Sequence, residues 1–330
     1  MIILVGANGF LGRHTAELLE RQGQPAIAVS RNPDGDFFKR FTPSLQTMNA
    51  VDFASSTGSD AIARADAIVY FVWRSVPSTF VDEPWRELPE NVQPALELFH
   101  RVAEISPKCK IVLLSSGGTI YGSEGTTPRS EAAPTRPISG YGLGKLLAEE
   151  GLRFVGRTRQ TRYAILRVSN PVGRWQRDAR QGIVGVGLRA ARDGASIRLF
   201  GGGTQIRDFV DADDVGEAIV RAAVDRMHDA ATWNIGSGVG VSIIDMLGLI
   251  SQVIGRPIAI EHAPARAIDV AHVVLDCRKV AEDLAWAAKT PVEDSIAGLW
   301  KVVCDQTPFG GREDPRALPP ANGRKNADGA

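Results

Sequence analysis

Short apolar runs punctuate the first half of the chain: Ile2 to Val5, Ala26 to Val29, Ala67 to Val72, Lys110 to Leu114 and Tyr163 to Val168. Runs that are apolar throughout, rather than alternating with polar residues, suit strands buried on both faces of a parallel sheet. Between them, Arg13 to Leu19, Glu87 to Glu104 and Tyr141 to Val155 carry the apolar spacing of helices. Strand–helix alternation of this kind predicts an α/β fold with a doubly wound parallel sheet, whose ligand crevice lies at the carboxyl ends of the strands. Beyond about Asn170 the glycines become denser and the elements shorter. This divides the chain into a main region over 1–169, a smaller C-terminal ligand-facing region over 170–306 with the chain crossing back, and a loose tail over 307–330 rich in proline and glycine.

A chain of 330 residues with 44% hydrophobic content can bury a large core. Its 38 basic and 38 acidic residues cancel, so no global field draws it to nucleic acid or to a membrane surface. Any anionic ligand then depends on local arginines. The three cysteines, Cys109, Cys277 and Cys304, are scattered and odd in number, and the five histidines lack metal-ligand spacing. No metal centre or disulfide framework is expected. With no long apolar span and no basic segment ahead of the N-terminal strand, a cytoplasmic location is expected.

The first apolar run leads directly into Gly6-Ala7-Asn8-Gly9-Phe10-Leu11-Gly12 and then into a helix. Glycines at this strand-to-helix turn let the backbone approach a pyrophosphate, and the helix N-terminus offers free N–H groups and a positive dipole end. Gly6, Gly9, Phe10, Leu11 and Gly12 are therefore candidate dinucleotide contacts. The second strand ends at Ser30-Arg31 with no acid for a ribose 2′-hydroxyl. Arg31 suits the 2′-phosphate of NADP, or else stacks on adenine or is solvated. Asp52, after the expected third strand and followed by Phe53, is a candidate acceptor for the adenine amine.

Tyr141-Gly142-Leu143-Gly144-Lys145 places a phenol and an ammonium one helical turn apart on one face. A free phenol has a pKa near 10, too high for a base at neutral pH; an ammonium beside it favours the phenolate. Ser115-Ser116-Gly117-Gly118-Thr119 follows an intervening strand and offers hydroxyls to an alcohol or sugar oxygen.

With these residues the chain resembles the extended short-chain dehydrogenase/reductases, within the NAD-dependent epimerase/dehydratase family acting on nucleotide sugars. The similarity runs from Met1 to about Trp300. Besides the segments above, it covers Pro137 to Lys145, Leu166 to Gly173, Gly201 to Val215 and Trp233 to Gly238. It implies a Rossmann-type fold and a bound NAD, with NADP possible from Ser30-Arg31. It further implies Tyr141 as acid/base, Lys145 on the nicotinamide ribose, Ser116 and Thr119 as hydroxyl partners, and Asn170, Arg207, Arg266 and Asp269 on the nucleotide portion of the substrate. Paired arginine forks suit a pyrophosphate. The resemblance also implies a homodimer through a four-helix interface built from the helices near 87–104 and 141–155.

Three departures narrow the activity. Gly117 stands where many epimerases carry Ser or Thr, so Ser116 or Thr119 must replace that hydroxyl. Gly118-Thr119 lacks the acid pair of 4,6-dehydratases, which disfavours dehydration. Trp73 stands after the fourth strand, where small residues are common beside the cofactor. The leading expectation is a nucleotide-sugar 4-epimerase, on a UDP-sugar; the alternatives are an NADPH-dependent 4-keto-sugar reductase and a non-catalytic nucleotide-binding protein.

Overall fold

All five apolar runs become strands of one seven-stranded parallel sheet. The computed structural model describes residues 1–33, 35–123, 128–176, 182–266 and 269–305; the expected loose tail over 307–330 lies outside them. In chain order the first half runs β1 (Ile2–Val5), α1 (Phe10–Arg21), β2 (Ala26–Ser30), α2 (Asp36–Phe41), β3 (Gln46–Asn49), α3 (Ala50–Ala54), α4 (Ser56–Arg64), β4 (Ala67–Tyr70), α5 (Gln93–Ile105), β5 (Lys110–Ser116), α6 (Gly140–Arg159) and β6 (Tyr163–Val168). The second half runs β7 (Asn170–Val172), α7 (Ile183–Asp193), β8 (Ser196–Phe200), β9 (Ile206–Asp211), α8 (Ala212–Val224), β10 (Ala230–Ile235), β11 (Gly240–Ser242), α9 (Ile243–Ile254), β12 (Ala259–Ala263), α10 (Arg278–Leu284) and α11 (Val292–Cys304).

The sheet order is β10-β6-β5-β4-β1-β2-β3, with every neighbouring pair parallel. The order reverses beside β1, which places the glycine turn after β1 at the switch point where such sheets open a crevice. Helices cover both faces. Ala16 and Leu19 of α1 pack with Val215, Ala218, Ile219 and Ala222 of α8 on one face. Phe99 and Val102 of α5 pack with Ala148, Leu152 and Val155 of α6 on the other. Edge strand β3 is largely polar, so its period carried no apolar signal.

The N-terminal half follows the apolar spacing closely, with one correction. Glu87 to Glu104 is not a single α-helix: a π-helical turn over Leu88–Val92 precedes α5. Pro89 and Pro94 lack the N–H groups that a regular ladder needs, so the first turns cannot close with the usual spacing. The run Ala67 to Val72 leaves the sheet at Tyr70, although the Phe71 N–H still donates to the Val5 carbonyl at 2.9 Å.

After β6 the chain builds a three-stranded sheet, β11-β9-β7, and a parallel pair, β8 with β12. Val184 and Leu188 of α7, Leu247 and Ile250 of α9, and Ile296 and Leu299 of α11 form a third apolar cluster around them. Strand β10 then returns to extend the main sheet beside β6.

Candidate active site

Gly6 starts the turn after β1 with φ of +93°, and its N–H donates to the Val29 carbonyl at 2.9 Å. Gly9 precedes α1 in an extended conformation with no side-chain cap, which leaves the first N–H groups of a 12-residue helix free of local partners. A Cβ on Gly12 would fall 2.7 Å from the Gly6 carbonyl and 2.8 Å from Ala7 Cα, so only glycine fits. The turn is fixed from outside: Arg13 donates to the Asn8 side-chain oxygen at 2.6 and 3.1 Å. This is a preformed cradle for a pyrophosphate, and it fits a dinucleotide.

A single cleft of about 650 Å³ runs from this cradle across the carboxyl ends of the strands to the C-terminal region. Its lining joins Gly9, Phe10, Leu11 and Gly12 with Ser116, Thr119, Tyr141 and Lys145, and with Asn170, Arg207, Arg266 and Asp269. Residues singled out from three separate parts of the sequence therefore face one space. Ser30, Arg31, Asp52 and Phe53 lie away from that lining: Arg31 and Asp52 are exposed, Ser30 and Phe53 buried. Phe53 lies beneath the Arg101 guanidinium, which is 5.6 Å from its ring centre. Its side chain serves the core.

Ser139 caps the N-terminus of α6 through the Gly142 N–H, which sets the register of Tyr141 and Lys145 above β5. Lys145 Nζ donates to the Leu114 carbonyl at 2.9 Å. Burial pushes this ammonium down to about 7, against the opposing pull of the Glu87 and Glu149 carboxylates. Burial pushes the Tyr141 phenol well above its ordinary range, Glu87 raises it further, and Ser116 works the other way. A cationic ring bound beside Tyr141 shifts the balance towards phenolate.

Thr119 Oγ1 donates to Ser116 Oγ at 3.0 Å, so the two hydroxyls form one relay at the end of β5. Gly117 cannot carry a hydroxyl: a Cβ there would lie 2.5 Å from Leu275 Cδ1 and 2.9 Å from the Arg167 carbonyl. Gly118 is open, with the nearest atoms to a Cβ being Ser116 Oγ and Asn170 Nδ2 at 3.9 and 4.0 Å.

On the far side, Asn170 Nδ2 donates to the Asp208 carbonyl at 2.9 Å. Arg207 donates to the Ile206 carbonyl, and burial lowers its pKa, partly countered by Asp269. Arg266 grips Asp269 through a fork of 2.9 and 2.8 Å and lies over the Phe200 ring. The arginine and acid expected to meet different parts of a nucleotide are thus paired to each other.

Several residues of this site gave no signal in the sequence. Arg198 on β8 and Phe200 line the cleft beside Arg266. Asn91 accepts from the Arg74 N–H at 2.7 Å and donates to Ser75 and to Glu87, holding the segment after β4. Conversely, Arg167, Tyr121 and Asn234 stand in segments that resemble the family but form a buried network away from the cleft. Arg167 donates to Tyr121 Oη at 3.0 Å, and that phenol donates to Asn234 at 2.6 Å. Asp208 is likewise structural, accepting from the N–H groups of Ser237, Gly238 and Leu275. Among the described residues no group of three or more histidine, cysteine or acidic side chains is arranged to hold a metal, and no helix is long and apolar enough to cross a membrane.

Comparison with known proteins agrees with this geometry. The model of the NAD dependent epimerase/dehydratase family matches residues 2–236. UDP-glucose 4-epimerase of Yersinia pestis is 29% identical, with 91% of this chain and 96% of that protein covered. The crystal structure of a Thermotoga maritima UDP-glucose 4-epimerase with UDP-glucose superposes with a TM-score of 0.80 at 26% identity, over 91% of this chain and 97% of that one. MoeE5 in complex with UDP-glucuronic acid and NAD gives 0.78 at 26% identity, over 91% and 98%. Joined to the glycine cradle and the Tyr141–Lys145 pair, these matches establish that the chain belongs to the NAD dependent epimerase/dehydratase family.

Proposed function

We propose that the protein is a nucleotide-sugar 4-epimerase acting on a UDP-sugar with NAD as its cofactor. The observation that carries this reading is the single cleft joining the pyrophosphate cradle, the Tyr141–Lys145 pair and the arginines of the C-terminal region. A dinucleotide fits at one end, a nucleoside diphosphate at the other, and a sugar between them.

A bound nicotinamide would supply the hydride acceptor and donor for C4, and inversion follows when the 4-keto sugar turns within the cleft so that the hydride returns to its other face. The chain's own residues handle protons and position. Tyr141 takes the proton of the C4 hydroxyl and gives it back, while Ser116 and Thr119 hydrogen bond the same oxygen. Lys145 holds the cofactor ribose and biases Tyr141 towards phenolate. Gly6, Gly9, Phe10, Leu11 and Gly12 receive the cofactor pyrophosphate. Arg207 and Arg266 take the substrate diphosphate, with Asn170 beside them, and Asp269 turns to the nucleotide ribose. In this arrangement residues 1–169 mainly serve the cofactor and 170–306 the nucleotide sugar.

Tyr141→Phe tests the reading: with UDP-glucose and added NAD, interconversion with UDP-galactose should fall by about 10²–10⁴-fold while NAD binding persists. Unchanged turnover would remove Tyr141 from the chemistry. A second reading, reduction of a 4-keto sugar by NADPH, is favoured by one feature, the exposed Arg31 with no acid at the end of β2. Stoichiometric NADPH oxidation by a nucleotide 4-keto sugar would select it.

We further propose a homodimer through α5 and α6. Leu143, Leu147 and Phe154 share one outward face of α6 and are 45%, 37% and 57% exposed.

A further inference from the structure

Trp73 follows β4 at the point where the cofactor crevice opens, and its ring lies directly on the key ammonium. Lys145 Nζ is 3.9 Å from the centre of the indole, and the Tyr141 ring meets the same indole edge to face at 6.3 Å. An ammonium has three donors; one is spent on the Leu114 carbonyl. A ribose hydroxyl must come within about 2.7–3.2 Å of that nitrogen to bond it, and the indole stands in the approach. Both side chains line the same cleft as the pyrophosphate cradle.

The seat for this ring is shaped by a glycine of α6. At Gly144, one residue before the lysine, a Cβ would fall 3.2 Å from Trp73 Cζ2 and 3.0 Å from Glu87 Oε2. The bare helix backbone at Gly144 leaves room for the indole and the buried Glu87 carboxylate to settle side by side next to Lys145. Yet the indole N–H, though buried, has no hydrogen-bond partner among the described residues. Ring-face attraction and packing hold the indole there, and a ligand that offers the ammonium better partners can replace it.

We propose that Trp73 is a displaceable cap on Lys145 that competes with the ribose beside the nicotinamide. The protein then holds its dinucleotide chiefly by the adenosine diphosphate end and exchanges it with solution. This rests on the reading that the cleft takes a nicotinamide dinucleotide. It makes the chain an enzyme that needs added NAD for full turnover rather than one that retains the cofactor through purification.

The test is calorimetric titration of the full chain, stripped of nucleotide, with NAD and with ADP, which lacks the second ribose. Trp73→Ala should bind NAD about tenfold more tightly than the wild type, ~1.4 kcal/mol, with ADP affinity unchanged. Trp73→Phe, which keeps a smaller ring, should gain less. NAD but not ADP should also change the indole emission of the wild type, and Trp73→Phe should lose that change. Equal or weaker NAD binding by Trp73→Ala, or an equal gain for ADP, overturns the cap. If the wild type and Trp73→Ala bind neither ligand, the cofactor reading fails with it; if both ligands bind and Trp73→Ala leaves NAD unchanged, only the cap fails.

Discussion

Arg167 on β6 clasps Glu149 on α6 through Nε and Nη2, at 3.0 and 2.8 Å to the two carboxylate oxygens, with both side chains buried. Glu149 lies one turn beyond Lys145 on the same face, so the pair pins the helix that carries the site to the sheet beneath it. Arg167→Ala leaves Glu149 to Arg153, which donates to it at 3.0 Å, and removes the donor from the buried Tyr121 hydroxyl. It is expected to cost about 1–3 kcal/mol in urea unfolding. Arg167→Met combined with Glu149→Leu should recover most of it. A single-variant cost below about 1 kcal/mol would contradict a desolvated pair, since that is the range of exposed ones.

Gly117 tests the missing hydroxyl. Gly117→Ser presses a side chain against Leu275 and the Arg167 carbonyl, so it should destabilise the fold by about 1–3 kcal/mol without raising turnover. Ser116→Ala should lower kcat and leave the melting temperature nearly unchanged. Improved turnover in Gly117→Ser would show that Ser116 and Thr119 do not supply the hydroxyl.

The tyrosines predict an alkaline limb. Burial raises Tyr70 and Tyr141 far above the ordinary phenol value and Tyr121 to about 12. In the unfolded chain they ionise near 10. Above that pH the unfolded state binds fewer protons than the native one, so stability is full below about 10 and is lost as pH rises towards 12. Phenolate absorbance from Tyr70, Tyr121 and Tyr141 should therefore be largely missing from the folded protein at pH 11 and appear on unfolding. Adding NAD should bring Tyr141 ionisation to lower pH; the same titration with and without NAD checks it.

The exposed apolar face of α6 predicts association. Leu147→Glu together with Phe154→Glu places charges on that face and should convert a dimer to a monomer in light scattering at micromolar concentration. A wild-type protein that is already monomeric there contradicts the proposed interface.

Much of the site could be read from short stretches of chain. The strand, glycine turn and helix from Ile2 to Arg21, and the turn of helix joining Tyr141 to Lys145, depend on neighbours within a few residues, and local apolar period and glycine placement specify them. The same holds for most strands of the central sheet. The helix that the apolar period implies over Glu87 to Glu104 is shorter in the structure because two prolines act on the hydrogen-bond ladder rather than on that period.

What the amino-acid sequence determined by itself is therefore the parallel α/β core, the cradle at α1 and the phenol–ammonium pair. Only the tertiary structure decided that Arg198 joins the cleft, that Arg167 and Asp208 are buried supports, and that β10 returns to the main sheet. It also brought Trp73 and Glu87 beside Lys145, with Gly144 leaving them room. These arrangements depend on close packing between segments tens to hundreds of residues apart. Such contacts leave no period in the chain, because each side chain answers to a neighbour that only folding brings near.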